Sequence, residues 1–260
     1  MLSQASIGWR DAALRWLAVE SVVQLGFTDG VRFSAASLGY VMRRCTSIRS
    51  LLVQHISRNG QPAPLSGSFF VPLSLNRSQL EHLEINLDGN DSWPHPGGPG
   101  PYGLASTARG CPKLKRLQLR GAFVTEADIQ SFLELTNCPL LQTLSVRGRH
   151  ITTLQCEGTR LVHLEIVDTA MADAALHAVL RGCPALESLD VSRSRSLTGV
   201  EADCPRLKRL VAQSCERLTT FGGTLERLKH ANFGGCPKLE AVTAVCKALH
   251  SLELKRSHFL

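Results

Sequence analysis

The chain has 260 residues, of which 43% are hydrophobic and 20% charged, a composition typical of a folded globular protein and not of a disordered one. Its net charge of +7 bears on solubility and on acidic partners rather than on the fold. No run approaches the roughly 18 apolar residues of a membrane helix, and Arg15 and Glu20 interrupt the only signal-like stretch, so we predict a cytoplasmic or nuclear protein without a membrane partner.

Residues 1–45 are predicted to form an N-terminal helical segment. The stretches 7–23 and 34–44 both mix apolar and charged residues in a helical pattern. The second stretch ends in residues 43–51, where the pattern changes from helical to strand-like, as it does again further along the chain. We therefore place the start of the next domain at residue 46.

Residues 46–260 contain a recurring L-x-x-L-x-L pattern. Its copies begin at positions 48, 80, 114, 141, 161, 186, 207, 228 and 249, and the last three intervals are each 21 residues long. Each copy predicts a short strand with apolar side chains inward and the intervening side chains outward. Intervals of about 20 to 29 residues are typical of leucine-rich repeats. We therefore predict an α/β leucine-rich-repeat solenoid, a curved horseshoe with a parallel sheet on its concave face.

The segments between these strands differ in length, which predicts a convex side of mixed structure. Thr125 can cap a helix through 129–133, and residues 171–180 form a second helical pattern. The units of 20 and 21 residues leave no room for a helix, so extended chain or turns are expected there. Gly-, Pro- and Ser-rich loop insertions are predicted at about 57–79 and 88–110.

The cysteines follow the repeat, and we interpret them as structural thiols of a reducing compartment. Six lie three residues before the first apolar position of a repeat: Cys45, Cys111, Cys138, Cys183, Cys204 and Cys246. Cys215 and Cys236 lie three residues after a strand, where a side chain can bond the backbone of the turn, and only Cys156 lies outside both columns. No C-x-x-C pair occurs, so we predict no metal site.

Motifs that carry catalysis or bind cofactors do not support an enzyme. The G-x-G-x-x-G match at residues 98–103 contains two prolines and lacks the strand and helix that a nucleotide-binding loop requires. His82, His163 and His230 occupy the same outward strand position, but in repeats that are not adjacent. We interpret these histidines as solvent-facing contacts and predict neither a catalytic site nor a cofactor.

The outward strand positions form the predicted partner-binding face. Its candidate residues combine a basic zone with polar and acidic neighbours: Arg116, Gln118, Arg120, Arg147, Arg149, Glu165, Asp190 and Arg209. The arginine fork suits carboxylates or phosphates of a partner, whereas an ordinary solvated sheet face is the alternative. The mixed charge signs argue against nucleic acid. Trp93 and Tyr102 are candidate contacts in the second insertion, with a disordered segment of no function as the alternative, because that composition cannot bury a core.

The C-P-x-L-x-x-L-x-L units over about 32–260 resemble the cysteine-containing leucine-rich repeats of F-box proteins, the substrate receptors of cullin-based ubiquitin ligases. The W-R-D-A-A stretch at 9–13, followed by Trp16, is similar to the closing helix of an F-box, but the opening L-P-x-E helix is missing. The resemblance implies substrate recognition in an SCF-type ligase. A Skp-type adaptor and a cullin are expected only if a full F-box lies upstream.

A free-standing repeat scaffold without a role in ubiquitin transfer is the alternative. Residue 260 follows the last predicted strand closely, where a solenoid normally has a polar capping unit. Together with the missing part of the F-box, this predicts a chain that is cut at both ends.

Overall fold

The computed structural model describes residues 21–28, 35–44, 47–56, 70–75, 79–87, 104–121 and 124–256. Ten parallel strands form one sheet, with each strand beside those of the neighbouring repeats. They are β1 (Val22–Thr28), β2 (Ser50–Ile56), β3 (His82–Asn86), β4 (Arg116–Arg120), β5 (Thr143–Arg147), β6 (His163–Val167), β7 (Ser188–Asp190), β9 (Arg209–Val211), β11 (His230–Asn232) and β13 (Ser251–Glu253).

The leucine pattern sets the register of this concave sheet. Leu83 lies opposite Leu117, and Leu117 lies opposite Leu144. These side chains are buried, whereas the residues that alternate with them lie on the other face of the sheet. A single repeat could not bury its leucines, so the core exists only because the repeats stack. The predicted α/β leucine-rich-repeat solenoid is confirmed.

Helices return the chain on the convex side wherever the repeats are long. The described helices are α1 (Ala35–Arg44), α2 (Val71–Leu75), α3 (Leu104–Thr107), α4 (Glu126–Leu133) and α5 (Asp173–Gly182). Thr125 caps α4 as predicted, since its hydroxyl accepts a hydrogen bond from the Asp128 backbone N–H at 3.2 Å. The described parts of the two predicted loop insertions include α2, α3 and a 3₁₀ turn, Ala108–Gly110.

Short strands replace the helices in the 21-residue repeats. β8 (Gly199–Glu201), β10 (Thr220–Gly222) and β12 (Ala241–Val242) form a second, three-stranded parallel sheet. A helical turn would need more chain than these repeats contain, so the backbone crosses the convex side in extended form. This agrees with the extended convex side predicted for these units.

The sheet begins earlier than the repeat pattern indicates. β1 lies within the segment predicted to be helical and pairs with β2 over seven residues. Val23 occupies an inward position and is buried, and Leu25 packs against the core. The position three residues before Val23 is Glu20, so the first leucine of the pattern is missing and the repeat escapes a search for it. The helix at Ala35–Arg44 agrees with the prediction for 34–44.

The cysteines of the described residues are free thiols that pack in the core. The Cys215 thiol donates to the Val191 carbonyl at 3.4 Å, and the Cys236 thiol donates to the Ala212 carbonyl at 2.9 Å. Each bond reaches the preceding repeat, in agreement with the predicted role at the turn. Burial raises the pKa of Cys138 to about 12 and that of Cys204 to about 11, so both thiols stay protonated and unreactive at neutral pH.

Candidate functional site on the concave face

The register of the concave sheet aligns its outward side chains in rows that run across the strands. The first row is Ser50, His82, Arg116, Thr143, His163, Ser188, Arg209, His230 and Ser251. The second row is Leu52, Glu84, Gln118, Ser145, Glu165, Asp190, Val211, Asn232 and Glu253. The third row is Gln54, Asn86, Arg120, Arg147 and Val167.

These rows differ in the sign of their charge. The first row has arginines and histidines but no acid, and the second row has acids but no base. The strand periodicity produces this separation, because residues two apart on a strand fall into neighbouring rows on the same face. Charge on this face is therefore arranged as stripes that run along the solenoid.

A groove of about 510 Å³ lies over the first and second rows from β1 to β7. Arg116, Glu84 and His82 line it, and among the described residues none of these three side chains has a hydrogen bond or ion pair. Burial, and then the positive charge of Arg116, hold the pKa of His82 below its usual value, although Glu81 opposes this. The groove thus presents opposite charges that have no partner within the described part of the chain.

The predicted basic zone is divided in the structure. Arg147 Nε lies 3.7 Å and Arg149 Nε lies 3.3 Å from the same Asp168 oxygen, Oδ2. The Asp168 side chain is only 9% exposed, so this carboxylate is a fixed part of the fold. Asp168 thereby offsets one of the two positive charges of Arg147 and Arg149.

Arg120 and Gln118 contact each other on β4. With its amide oxygen turned towards Arg120, Gln118 accepts hydrogen bonds from Nη2 at 2.8 Å and from Nε at 2.9 Å. The guanidinium of Arg120 therefore already has a partner, in contrast to that of Arg116. Of the four arginines of the predicted zone, Arg116 is the one that lines the groove, and its side chain has no partner among the residues that the structure describes.

The acidic candidates have separate surroundings. Glu165 lines the groove and accepts a hydrogen bond from the Ser145 hydroxyl at 2.7 Å. Asp190 Oδ1 accepts from the Ser192 backbone N–H at 2.9 Å, so this carboxylate fixes the turn after β7. Arg209 is exposed in the first row on β9, beyond the groove.

The remaining predictions concern residues that the structure places apart or does not describe. Between His82 and His163 lie two strands, and the same is true of His163 and His230, so about 14 Å separates each pair at the usual strand spacing. No group of three potential metal ligands occurs among the described residues. Trp93, Tyr102, the 98–103 loop and the F-box-like stretch at 9–16 lie outside them.

The helices within the described ranges all lack the length and apolar character needed to cross a lipid bilayer.

Asp168 is the residue of this face that sequence reasoning missed. It follows the last residue of β6 and lies outside the alternating outward positions. The sequence signal for Asp168 is an acidic residue in the turn after β6, since the neighbouring strand β5 ends in Arg147.

Comparisons with known proteins agree with this architecture. The family model described as "FBD-associated F-box protein At5g56370, LRR repeats" matches residues 156–259, about two fifths of the chain. No curated protein sequence matches the chain.

Among solved structures, the chain is similar to the leucine-rich repeat domain of APL1B, at 16% identity and a TM-score of 0.43, covering 100% of this chain and 83% of that one. It is also similar to the Rad7 and Elc1 complex of yeast, at 14% identity and a TM-score of 0.30, covering 89% of this chain and 77% of that one. A leucine-rich repeat protein from Bacteroides ovatus has 15% identity and a TM-score of 0.27, with coverages of 89% and 71%.

The solved structures are distant, so the fold assignment depends on the strand register and on the repeat family. Leucine-rich repeats of this kind indicate a protein–protein interaction module. The chain is a leucine-rich-repeat protein whose repeats over residues 156–259 are similar to those of FBD-associated F-box proteins.

Proposed function

We propose that this chain is a non-enzymatic module that binds a protein partner on its concave face. The observation that carries the proposal is the groove over the first two rows, in which Arg116 and Glu84 have opposite charges and no partner among the described residues. The sheet fixes the backbone positions of both residues, so a complementary surface meets the two charges at a defined spacing and can gain charge-assisted bonds with them.

The finer proposal is substrate recognition in an SCF-type ubiquitin ligase of the cytoplasm or nucleus. Its support is the similarity of residues 156–259 to the repeats of an F-box protein family. A Skp-type adaptor and a cullin belong to this proposal only where a full F-box precedes the repeats. The second candidate is a free-standing repeat scaffold with no role in ubiquitin transfer.

Affinity capture of the full-length gene product from cells tests the ubiquitin-ligase role. Recovery of a cullin and its adaptor together with a further protein supports it. Repeated recovery of a partner without cullin or adaptor contradicts it and supports the scaffold.

Charge reversal of Arg116 tests the binding face. We expect Arg116→Glu to remain folded and to lose the captured partner by at least tenfold, because the groove then has no free arginine. Arg217→Glu, in an exposed turn that leads to β10, is the matched control and should bind normally. Equal capture by both variants would show that the partner binds elsewhere.

A further inference from the structure

The two rows that border the groove form walls of different charge, with the positive charge of Arg116 on one and the negative charges of Glu84 and Glu165 on the other. On β3, β4 and β6 the first row places His82, Arg116 and His163 along one wall. On β3 and β6 the second row places Glu84 and Glu165 along the other wall. Residues two apart on a strand lie about 7 Å apart, so the walls flank a channel that is one extended backbone wide.

Neighbouring charges do not cancel these walls. The positions that precede the first row pair among themselves, with Lys115 Nζ 2.7 Å from Glu81 and Lys208 Nζ 2.7 Å from Glu187. On the other side of the channel Arg147 is held by Asp168. Charge on both sides of the channel is thus partly paired, whereas Arg120 in the third row keeps its charge because its partner Gln118 is neutral.

We infer that the partner presents to this groove an extended segment in which acidic and basic side chains alternate. This inference rests on the proposed function of the concave face. Successive side chains of an extended chain point to opposite sides. Alternation therefore directs every acid towards the first row and every base towards the second row.

The dimensions fit a short segment. The path from β3 to β6 crosses three strand-to-strand steps of about 4.8 Å, or about 14 Å in all, which equals four or five extended residues at about 3.3 Å each. A helix of about 10 Å diameter is wider than the channel between the rows.

A ligand of one charge sign does not satisfy both walls. A nucleic acid or a run of acidic residues would pair with Arg116 but would place negative charge against Glu84 and Glu165. Like charges brought together at an interface cost binding energy, which makes the second row an element of discrimination.

Fluorescence anisotropy with synthetic peptides tests the inference on the full chain. One labelled octapeptide alternates Glu and Lys, and its isomer has four Glu followed by four Lys, so composition and net charge are identical. We expect the alternating peptide to bind at least tenfold more tightly at low salt. Equal affinity for the two peptides, or no binding of either, overturns the inference.

Variants locate the binding within the groove. Arg116→Glu and Glu84→Lys should each weaken binding of the alternating peptide at least fivefold. Arg217→Glu and Glu216→Lys, neighbouring exposed residues away from the rows, make the same charge changes and should stay within twofold. An equal loss in the control variants would attribute the binding to net charge and overturn the inference.

The cellular capture separates this inference from the proposed function. If the peptides fail while Arg116→Glu still loses the captured partner, the concave face binds a protein of different chemistry and the inference alone is wrong. If the captured partner is also insensitive to Arg116→Glu, the proposed binding face is wrong as well.

Discussion

The solenoid has a helical part, the repeats of residues 35–182, and a strand part, those of residues 183–256. The two parts differ in how the chain returns across the convex side from one concave strand to the next. Strands of the concave sheet in the helical part have five to seven residues, whereas those of the strand part have three. Both parts nevertheless continue one sheet in one register. The length of the returning chain thus determines the convex structure and leaves the concave rows intact.

The contacts between repeats on the convex side also differ. In the helical part an acid in the first turn of a helix accepts hydrogen bonds from the next repeat, as Glu126 does from the Thr152 backbone N–H at 2.6 Å. In the strand part the backbone itself makes the contact, as in the bond from the Thr219 N–H to the Thr198 carbonyl at 2.7 Å. Thr198 takes part in both kinds of contact, since its carbonyl accepts from Thr219 and its N–H donates to Asp173 in the first turn of α5.

The largest effect should come from truncating a buried aromatic side chain in either part. Phe132 in α4 and Phe221 in β10 are fully buried, and the ring centroid of Phe221 lies 4.7 Å from that of Phe233. Phe132→Ala and Phe221→Ala should each lower the free energy of unfolding by about 3 to 5 kcal/mol in urea titrations.

Hydrogen exchange shows whether the helical part and the strand part unfold independently. Because each repeat contacts only its neighbours, Phe221→Ala should reduce protection mainly around β8 to β12, and Phe132→Ala mainly around β4 to β6. A uniform loss of protection in both variants would mean that the two parts unfold as one unit.

A smaller loss of unfolding free energy is expected from replacing a glycine of the strand part. Gly223 has a φ of +115°, and a Cβ atom there would overlap the Ala202 carbonyl oxygen. Gly223→Ala should therefore cost about 1 to 3 kcal/mol of unfolding free energy, since both the backbone angle and the contact resist a side chain. The matched control is Gly39→Ala in α1, where the nearest atoms lie at 3.4 Å; its unfolding free energy should not fall.

Most of the fold follows from the leucine positions, because inward leucines that recur in every repeat can form one core only when the repeats stack. The outward rows follow too, since a strand alternates its side chains. β1 does not, because its pattern has Glu20 and Val23 where leucines are expected. The second sheet was expected only as extended chain, although its strands share an L-x-x-[V/F] pattern with a 21-residue period, at residues 197–200, 218–221 and 239–242.

The candidate site was predictable in position but not in its charge balance. Periodicity places Arg116, Arg120 and Arg147 on one face, yet it does not tell which of them are already bonded. That depends on Asp168, in a turn with a φ of +55°, and on the rotamer of Gln118. Contacts of this kind arise from the three-dimensional path of a turn, which the repeat pattern does not encode.

A modest loss of stability is expected from replacing Asp168, which follows β6 and pairs with Arg147 at the end of β5 and with Arg149 in the turn after it. Asp168→Asn should lower the free energy of unfolding by about 1 kcal/mol or less, because both arginine partners are partly exposed and solvent screens the pairs. It should also remove the negative charge beside Arg147 and Arg149 and strengthen binding of an all-Glu peptide. Unchanged peptide affinity would show that Asp168 does not limit the charge of this face. Asp203→Asn, exposed and with no ion pair among the described residues, is the control.

The smallest loss of stability is expected from replacing Glu126, the acid that links α4 to the next repeat. This loss depends on pH. Burial alone would raise the pKa of Glu126, but hydrogen bonds from the hydroxyl and N–H groups of Thr152 and Thr153 together hold it below the usual value. A carboxyl group whose pKa is lower in the folded state stabilises the protein above its unfolded pKa of about 4.3, and this contribution disappears as pH falls through the folded value.

Glu126→Gln should therefore be less stable than the parent at pH 7, by less than about 1 kcal/mol because the site is partly exposed. The difference should shrink as pH is lowered and vanish once the parent carboxyl is protonated. Urea midpoints across this range measure it, with Glu216→Gln as an exposed control in the strand part. A constant difference at all pH values would mean that the shape of the side chain, and not its charge, links the two repeats. The helical part would then be joined by neutral hydrogen bonds, as the strand part is.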